Sequence, residues 1–584
     1  MKKEVRQCQN CKQPFLIEPD DFAFYEHILV PPPTFCPECR AARRLSFWNE
    51  RHLFRKNDVA TGKEIFSTYP KASPIKIFDH DYWWSDAWDG MNYGRGYDFN
   101  RSFFDQFKEL LYNVPLPSRE IKQLVRSDYC NNAGFDKDCY LVFDVDNSER
   151  CAYCVGMRYS RDSFDSIWTS HLQSCYEVFS GDRNYESFFV NECCNCRNVW
   201  FSRDCLDCSH CFGCANLRHK EYYIFNKPYP KEEYERTLRE MNIGSYASLV
   251  SVREKARAFW RSCPVRYMHG THNSNVVGEY LTGSKNSKYC YQGDNLDNVR
   301  YSQKLVDAKD CYDFTSWSDK SELVYESVIV GYECRNVKFS FSCWNACRDI
   351  EYCISCRSSS NCFGCVSLKD KEYCILNKQY TKGEYESLIP KIKEQMNARY
   401  YIAPNGNEYR YGEFFPFDLS PLSYNESAAY DYIPIRREDF EKRGLSWRDL
   451  ELRKFEVTLP SEKIPDSIQG VDETVLKEAI GCASCGNAFR LIQMEYEFYK
   501  KYSLPIPRLC HLCRYNERIK NRNPLRWYKR TCQCVGVKSE NGIYTNAVPH
   551  PHGAGKCSNE FETPYAPERE EIVYCEQCYQ SEVV

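Results

Sequence analysis

Residues 205–214 read CLDCSHCFGC and place Cys205, Cys208, Cys211 and Cys214 on a strict three-residue beat. Thiolates so spaced are what a wrapping loop offers to an iron–sulfur cluster. Two other patterns suit zinc. Cys8 and Cys11 with Cys36 and Cys39, and Cys482 and Cys485 with Cys510 and Cys513, both follow C-x2-C-x24-C-x2-C. A CxxC turn presents two thiolates on one tight knuckle, and two knuckles supply the tetrahedral set that zinc prefers. The same spacing in two distant segments argues against chance. A third set is expected near the C-terminus, where Cys575 and Cys578 form one knuckle. Its upstream half is irregular, with Cys532, Cys534, His550, His552 and Cys557 as candidates. The expected set is Cys534, Cys557, Cys575 and Cys578, with Cys532 or His552 as substitutes for Cys534. Four protein ligands close each site, so the metal is expected to be structural, about three zinc ions in all. Four thiolates on two knuckles describe a mononuclear iron site equally well.

The residues between the knuckles also match. FYEHILVPPPTFCPECR in the first copy answers FYKKYSLPIPRLCHLCR in the second. Phe15, Phe24, Tyr25, Pro33 and Arg40 correspond to Phe489, Phe498, Tyr499, Pro507 and Arg514. This pattern resembles the bacterial probable zinc-ribbon domain family over roughly 45 residues at each end, which implies a zinc-binding ribbon at both. The family usually has a glycine soon after the FY pair; EHILV and KKYSL lack it. FETPYAP ahead of YCEQC resembles the strand pair of a small ribbon found beside that domain, although Cys557 stands where the relative has a full CxxC. The whole layout is similar to long zinc-ribbon proteins of uncultivated bacteria, a likeness that implies no particular activity.

Elements must position the remaining thiols, and here the chain repeats itself. Residues 205–226, CLDCSHCFGCANLRHKEYYIFN, match residues 356–377, CRSSSNCFGCVSLKDKEYCILN, at an offset of 151. Cys205, Cys211 and Cys214 fall on Cys356, Cys362 and Cys365, but Cys208 falls on Ser359 and Cys353 on Ser202. A cluster loop does not lose one ligand of four and keep its chemistry, so these are expected to be core thiols. Cys211, Cys214, Cys362 and Cys365 are the best candidates for an additional metal knuckle. Short motifs such as DCYLVF, SCYEVF, NVWFS and HCFGC recur with a period of about 11 to 12 between polar turns, and read as short strands. The expected fold is mainly β: terminal zinc ribbons flanking a duplicated, cysteine-rich, parallel β-helix-like solenoid with short helices. An antiparallel sandwich is the alternative. KEEYERTLREM and KGEYESLIPKIKEQM read as helices that cover the ends of the repeats. The aromatic run DYWWSDAWDGMNYGRGYDFNRSFFDQF reads as core.

The expected divisions are ribbon 1 with its basic segment at 1–60, an aromatic capping region at 61–125, and repeat A at 126–230. A helical linker follows at 231–285, repeat B at 286–400, a linker at 401–475, ribbon 2 at 476–530 and ribbon 3 at 531–584. The chain has 584 residues, 42% hydrophobic, 15% aromatic and including 45 tyrosines, enough to bury several cores. MKKEVRQCQN has no apolar h-region and no run of about 18 apolar residues follows. A cytoplasmic, reducing location is therefore expected, with the 36 cysteines as thiols and metal ligands.

Catalytic signatures are missing. GEYLTGSK at 278–285 has Ser-Lys where a phosphate loop needs Lys-Ser/Thr, and HGTH at 269–272 is a loop pair more typical of a surface. No nucleophile, base and oxyanion site assemble, so the chain is expected not to be an enzyme. Charge is segregated within a net −3: residues 40–56 and 514–530 together carry +11. Arginines interleaved with aromatics suit phosphate contact and base stacking. Nucleic acid or a ribonucleoprotein is thus a candidate partner, through Arg43, Arg44, Trp48, Arg51 and Arg55, and through Arg518, Arg522, Arg526, Trp527 and Lys529. The alternatives are a protein–protein scaffold, an iron–sulfur redox or sensor protein, and a carbohydrate-active β-helix enzyme.

Overall fold

The computed structural model describes residues 2–440, 443–449 and 455–583. It is mainly β and forms two compact units, each assembled from separated stretches of chain. One takes Met1–Glu120, Met268–Asp449 and Pro524–Trp527; the other takes Ile121–Tyr267, Leu450–Asn523 and Tyr528–Val584. Each contains one stack of short strands and one C-x2-C-x24-C-x2-C module.

In the unit containing Ile121–Tyr267, the stacked strands are parallel and the register holds constant, position i facing i+12. Asn131 pairs with Phe143, Phe143 with Val155, Val155 with Ile167, and Arg197 with Ser209. Bridges on the other sides keep the step, as at Lys137–Glu149, Ala152–Phe164 and Ser170–Asp182. Parallel pairing sets aside the antiparallel sandwich. From Asn132 to Phe225 every third residue has positive φ, glycine supplying only Gly156 and Gly213. Asn and Asp tolerate that conformation best, which is why they crowd the corners. Four corners per coil leave four short sides, and the residue after each corner points inward.

That inward position is filled mostly by small side chains. Cys139, Val142, Val145, Ser148, Cys151, Cys154 and Met157 occupy it in turn, all buried. Cysteine and serine fill it by the same device. Cys154 Sγ donates to the carbonyl of Ala152 at 3.2 Å, and Ser163 Oγ donates to Arg161 O at 2.9 Å. Serine additionally accepts from the backbone N–H one coil on, as Ser163 does from Cys175 at 3.2 Å. Ser359 does likewise, donating to Arg357 O at 2.8 Å and accepting from Lys371 N–H at 3.3 Å. The three-residue beat of CLDCSHCFGC is therefore the beat of the coil corners, and Cys208 and Ser359 are interchangeable fillings. The expected core thiols are found.

The stack in the other unit is less regular. Its register runs from i to i+11 at Gly270–Leu281 and from i to i+12 at Lys288–Arg300. It lengthens to i+13 at Tyr312–Tyr325, Tyr325–Lys338 and Arg335–Arg348, and returns to i+12 at Arg348–Ser360. The extra residue sits at one corner, where positive φ occurs in consecutive pairs: Asp319 and Lys320, Tyr332 and Glu333, Asn345 and Ala346. Helices follow both stacks, Lys231–Met241 and Lys382–Ala398, the latter started by a Thr381–Glu384 capping box. Tyr234 and Tyr385 pack edge-on to Tyr222 and Tyr373 of the last coils. The aromatic run is core as expected. Trp83, Phe103, Phe104 and Phe107 are buried, and Phe103 lies 5.2 Å from Phe363 between ring centroids.

Candidate metal centres

Strand Glu4–Gln7 pairs antiparallel with Pro14–Ile17, and the hairpin between them carries Cys8 and Cys11. Lys12, at φ 60°, closes the knuckle; Gly486, at φ 71°, holds the same place in the second module. The second knuckle opens a helix in both. Cys36 stands at the N-terminal end of Pro37–Ser46 and Cys510 at that of His511–Ile519, so their sulfurs sit at the positive end of a helix dipole, against which the neighbouring Cys8 sulfur and burial push Cys36 up to about 12 and burial pushes Cys510 up. Sulfur separations are 3.7 Å for Cys11–Cys36 and 3.8 Å for Cys485–Cys510. Bonds of about 2.3 Å in a tetrahedron give edges of about 3.8 Å. Backbone N–H groups point at the sulfurs, Cys36 to Cys8 and Cys510 to Cys482, both at 3.3 Å. Thiol hydrogen bonds from Cys36 and Cys39 hold Cys8 well below the usual thiol range. Burial pushes Cys482 up, but the N–H groups of Cys485 and Cys510 bring it down to about 7. All eight expected ligands come together in two sets with ligand atoms within 4.8 Å of one another.

The third set corrects the expectation. Its four thiols are Cys532, Cys557, Cys575 and Cys578, so Cys532 stands where Cys534 was expected. Strand register decides this. Tyr528–Thr531 pairs antiparallel with Glu560–Thr563, and Cys532 N–H then donates to Asn559 O. Cys532 Sγ accepts from Cys575 N–H at 3.2 Å, and Cys557 Sγ lies 3.9 Å from Cys575 Sγ. Cys534 instead faces His550, His552 and Cys578, a second set of ligand atoms within 4.8 Å of one another. Among the described residues these four sets are the ones found, and Cys211, Cys214, Cys362 and Cys365 belong to none. Their sulfurs donate to backbone carbonyls instead.

The basic segments are not the open surface expected of a phosphate-binding face. Arg40 and Arg44 close on Asp313 at 2.8 and 3.0 Å, with every one of these side chains at most 2% exposed. Arg43 bridges Glu326 and Glu413, at 3.2 and 2.9 Å. Arg51 pairs with Asp431 at 2.8 Å, and Trp48 is buried. In the other unit, Arg514 and Arg518 close on Asp165 at 3.1 and 2.7 Å. Arg522 lies over Trp168, and Trp527 packs against Tyr291. Arg55, Arg526 and Lys529 are exposed, Arg55 lying over Phe66. The knuckle helices point their arginines at acids on the coils because guanidinium forks match carboxylates and satisfy them when buried.

The FY pairs dock in the same way. Phe24 stacks on Tyr312 at 3.8 Å and Tyr25 lies 5.5 Å from Tyr325; Phe498 lies 4.7 Å from Phe164 and Tyr499 5.5 Å from Tyr176. Burial pushes the Glu495 carboxyl up, against the neighbouring Arg514 charge. Asp165 and Asp313 are the functional residues that sequence reasoning missed. They stand three positions closer together than Cys211 and Cys362, the difference being the three longer coils between. In the HGTH loop, His269 Nδ1 lies 2.8 Å from Glu279 Oε1.

No family model matches the chain, and no curated protein matches it. Among solved structures, a provisionally named acetyltransferase from Desulfovibrio desulfuricans G20 is similar at 8% identity and a TM-score of 0.10. The match covers 46% of this chain and 69% of that one. A TM-score that low carries no argument about fold or activity. Among the described residues no helix is long and apolar enough to cross a membrane.

Proposed function

We propose that the chain is a non-catalytic zinc-binding scaffold in which zinc ribbons of the probable zinc-ribbon kind clamp a duplicated β-solenoid. The observation that carries this is the pairing of each C-x2-C-x24-C-x2-C set with a buried arginine–aspartate lock on a coil stack. The four sulfurs leave no position open for a substrate, and the helix that holds two of them is fixed by Arg40 and Arg44 or by Arg514 and Arg518. Closed four-thiolate sites of this kind serve folding, not reaction. The solenoid then presents long faces of short strands, a surface suited to a protein partner. Nucleic acid is the weaker reading, because Arg43, Arg44, Arg51 and Arg518 are engaged in ion pairs within the chain, although Arg55, Arg526 and Lys529 are exposed.

Anaerobic purification without a metal-binding tag, followed by elemental analysis and a visible spectrum, tests this reading. Zinc filling the four-thiol sites, with no colour, is expected. Iron with inorganic sulfide and a brown absorbance would replace it with a cluster protein.

A further inference from the structure

The second ligand set of the last module has its own supporting structure. Cys534 is fully buried, and the His550 imidazole is 0% exposed. Cys534 Sγ lies 3.2 Å from His550 Nδ1, and the other ring nitrogen, Nε2, lies 2.9 Å from Glu582 Oε1. A carboxylate on the far nitrogen is the usual second partner of a metal-binding histidine, since it fixes the tautomer and leaves the near nitrogen its lone pair. His552 is oriented the opposite way round. Its Nδ1 lies 3.0 Å from the Gly555 carbonyl, which accepts only from N–H, so Nε2 carries the lone pair. That Nε2 is buried and has no hydrogen-bond partner. Asn546 Nδ2 donates to Cys534 Sγ at 3.2 Å, a bond that favours thiolate. The fourth member is Cys578, which also belongs to the four-thiol set.

We propose that this module holds two metal ions bridged by the Cys578 thiolate. One rests on Cys532, Cys557, Cys575 and Cys578, the other on Cys578, Cys534, His550 and His552. Seven residues then complete two tetrahedra with no ligand left over. Charge favours the pair as well. Two dications against five thiolates leave one net negative charge, whereas one dication against four thiolates leaves two. The sulfur–nitrogen set of the second ion suits zinc or another borderline divalent metal. This proposal rests on the metal-binding reading above.

The test uses the full chain, loaded with zinc under anaerobic conditions and freed of excess, with zinc counted per chain. The proposal expects about four in the native protein and about three in His552→Ala and in Cys534→Ser, each checked for unchanged circular dichroism. Cobalt loading gives a second readout. A thiolate-bridged cobalt pair is magnetically coupled, so its spin-resonance signal is weakened in the native chain and restored in His552→Ala. A native count of three, or a count unchanged in both variants, overturns the proposal and leaves the ribbon reading standing. A native count below three overturns both.

Discussion

At the scale of single residues, the chain shows what a thiol does when it is not a ligand. Burial pushes the Cys175, Cys290 and Cys311 thiols up to about 12, so they stay protonated and unreactive. Because serine makes the same bond to the carbonyl two residues back, Cys211→Ser is expected to cost only about 1 kcal/mol in urea unfolding, while Cys211→Leu overfills a site already packed against Val199 of the preceding coil and costs about 1–3 kcal/mol. Asp136 occupies an inward position and is 1% exposed. Burial raises its carboxyl to about 7, relieved only in part by the Ser148 N–H. The folded state therefore binds a proton that the unfolded chain has released. Stability from this site falls as pH rises from about 4 through about 7 and then levels. Asp136→Asn is expected to remove that slope, read as melting temperature between pH 5 and 8; an unchanged slope would place the titration elsewhere.

At the scale of elements, the arginine–aspartate locks hold each knuckle helix to its stack. Asp165 is 0% exposed and faces two guanidinium groups. Asp165→Asn leaves Arg518 without its carboxylate partner and Arg514 with Glu495 alone, so a loss of about 3–5 kcal/mol is expected, as for other broken buried pairs. Arg518→Met in the same background should cost less than it does alone, and simple additivity of the two losses would deny the lock. The knuckles and the short strands were legible in the sequence, because ligand spacing and apolar motifs are local. The locks were not. Shifting Asp165 by the evident repeat offset lands on Ser316, since three single insertions at a corner lie between Asp313 and the matched cysteines. The choice of Cys532 over Cys534 was equally illegible: the two are separated by a single glutamine, Gln533, and only the pairing with Glu560–Thr563 tells them apart.

At the scale of the whole molecule, charge density has to be read together with the acids that face it. A run of six or seven basic residues reads as a nucleic-acid surface until the acids that face it are placed, and here Asp313, Glu326, Glu413 and Asp165 take Arg40, Arg43, Arg44, Arg514 and Arg518 inside the two units. Labelled RNA and single-stranded DNA are accordingly expected to show no retention on the purified chain even at low salt. Retention that falls steeply with added salt would restore phosphate contact as a function. The coil step was half legible: the regular return of the motifs was visible, but four corners per coil come from backbone φ, which no residue type announces.

Of the 36 cysteines, 13 fall in the candidate ligand sets and all but Cys194 of the rest are buried thiols. Alkylating the native chain before and after a strong chelator, and mapping the modified residues by mass spectrometry, separates the two populations. Little labelling is expected before chelation. Afterwards labelling is expected at the 13 cysteines of the four ligand sets, with the 22 buried cysteines outside them protected until denaturant is added and the half-buried Cys194 intermediate. Labelling of Cys205, Cys208, Cys211 and Cys214 together with the knuckles on chelation would contradict this division, and would make the three-residue beat a metal site after all.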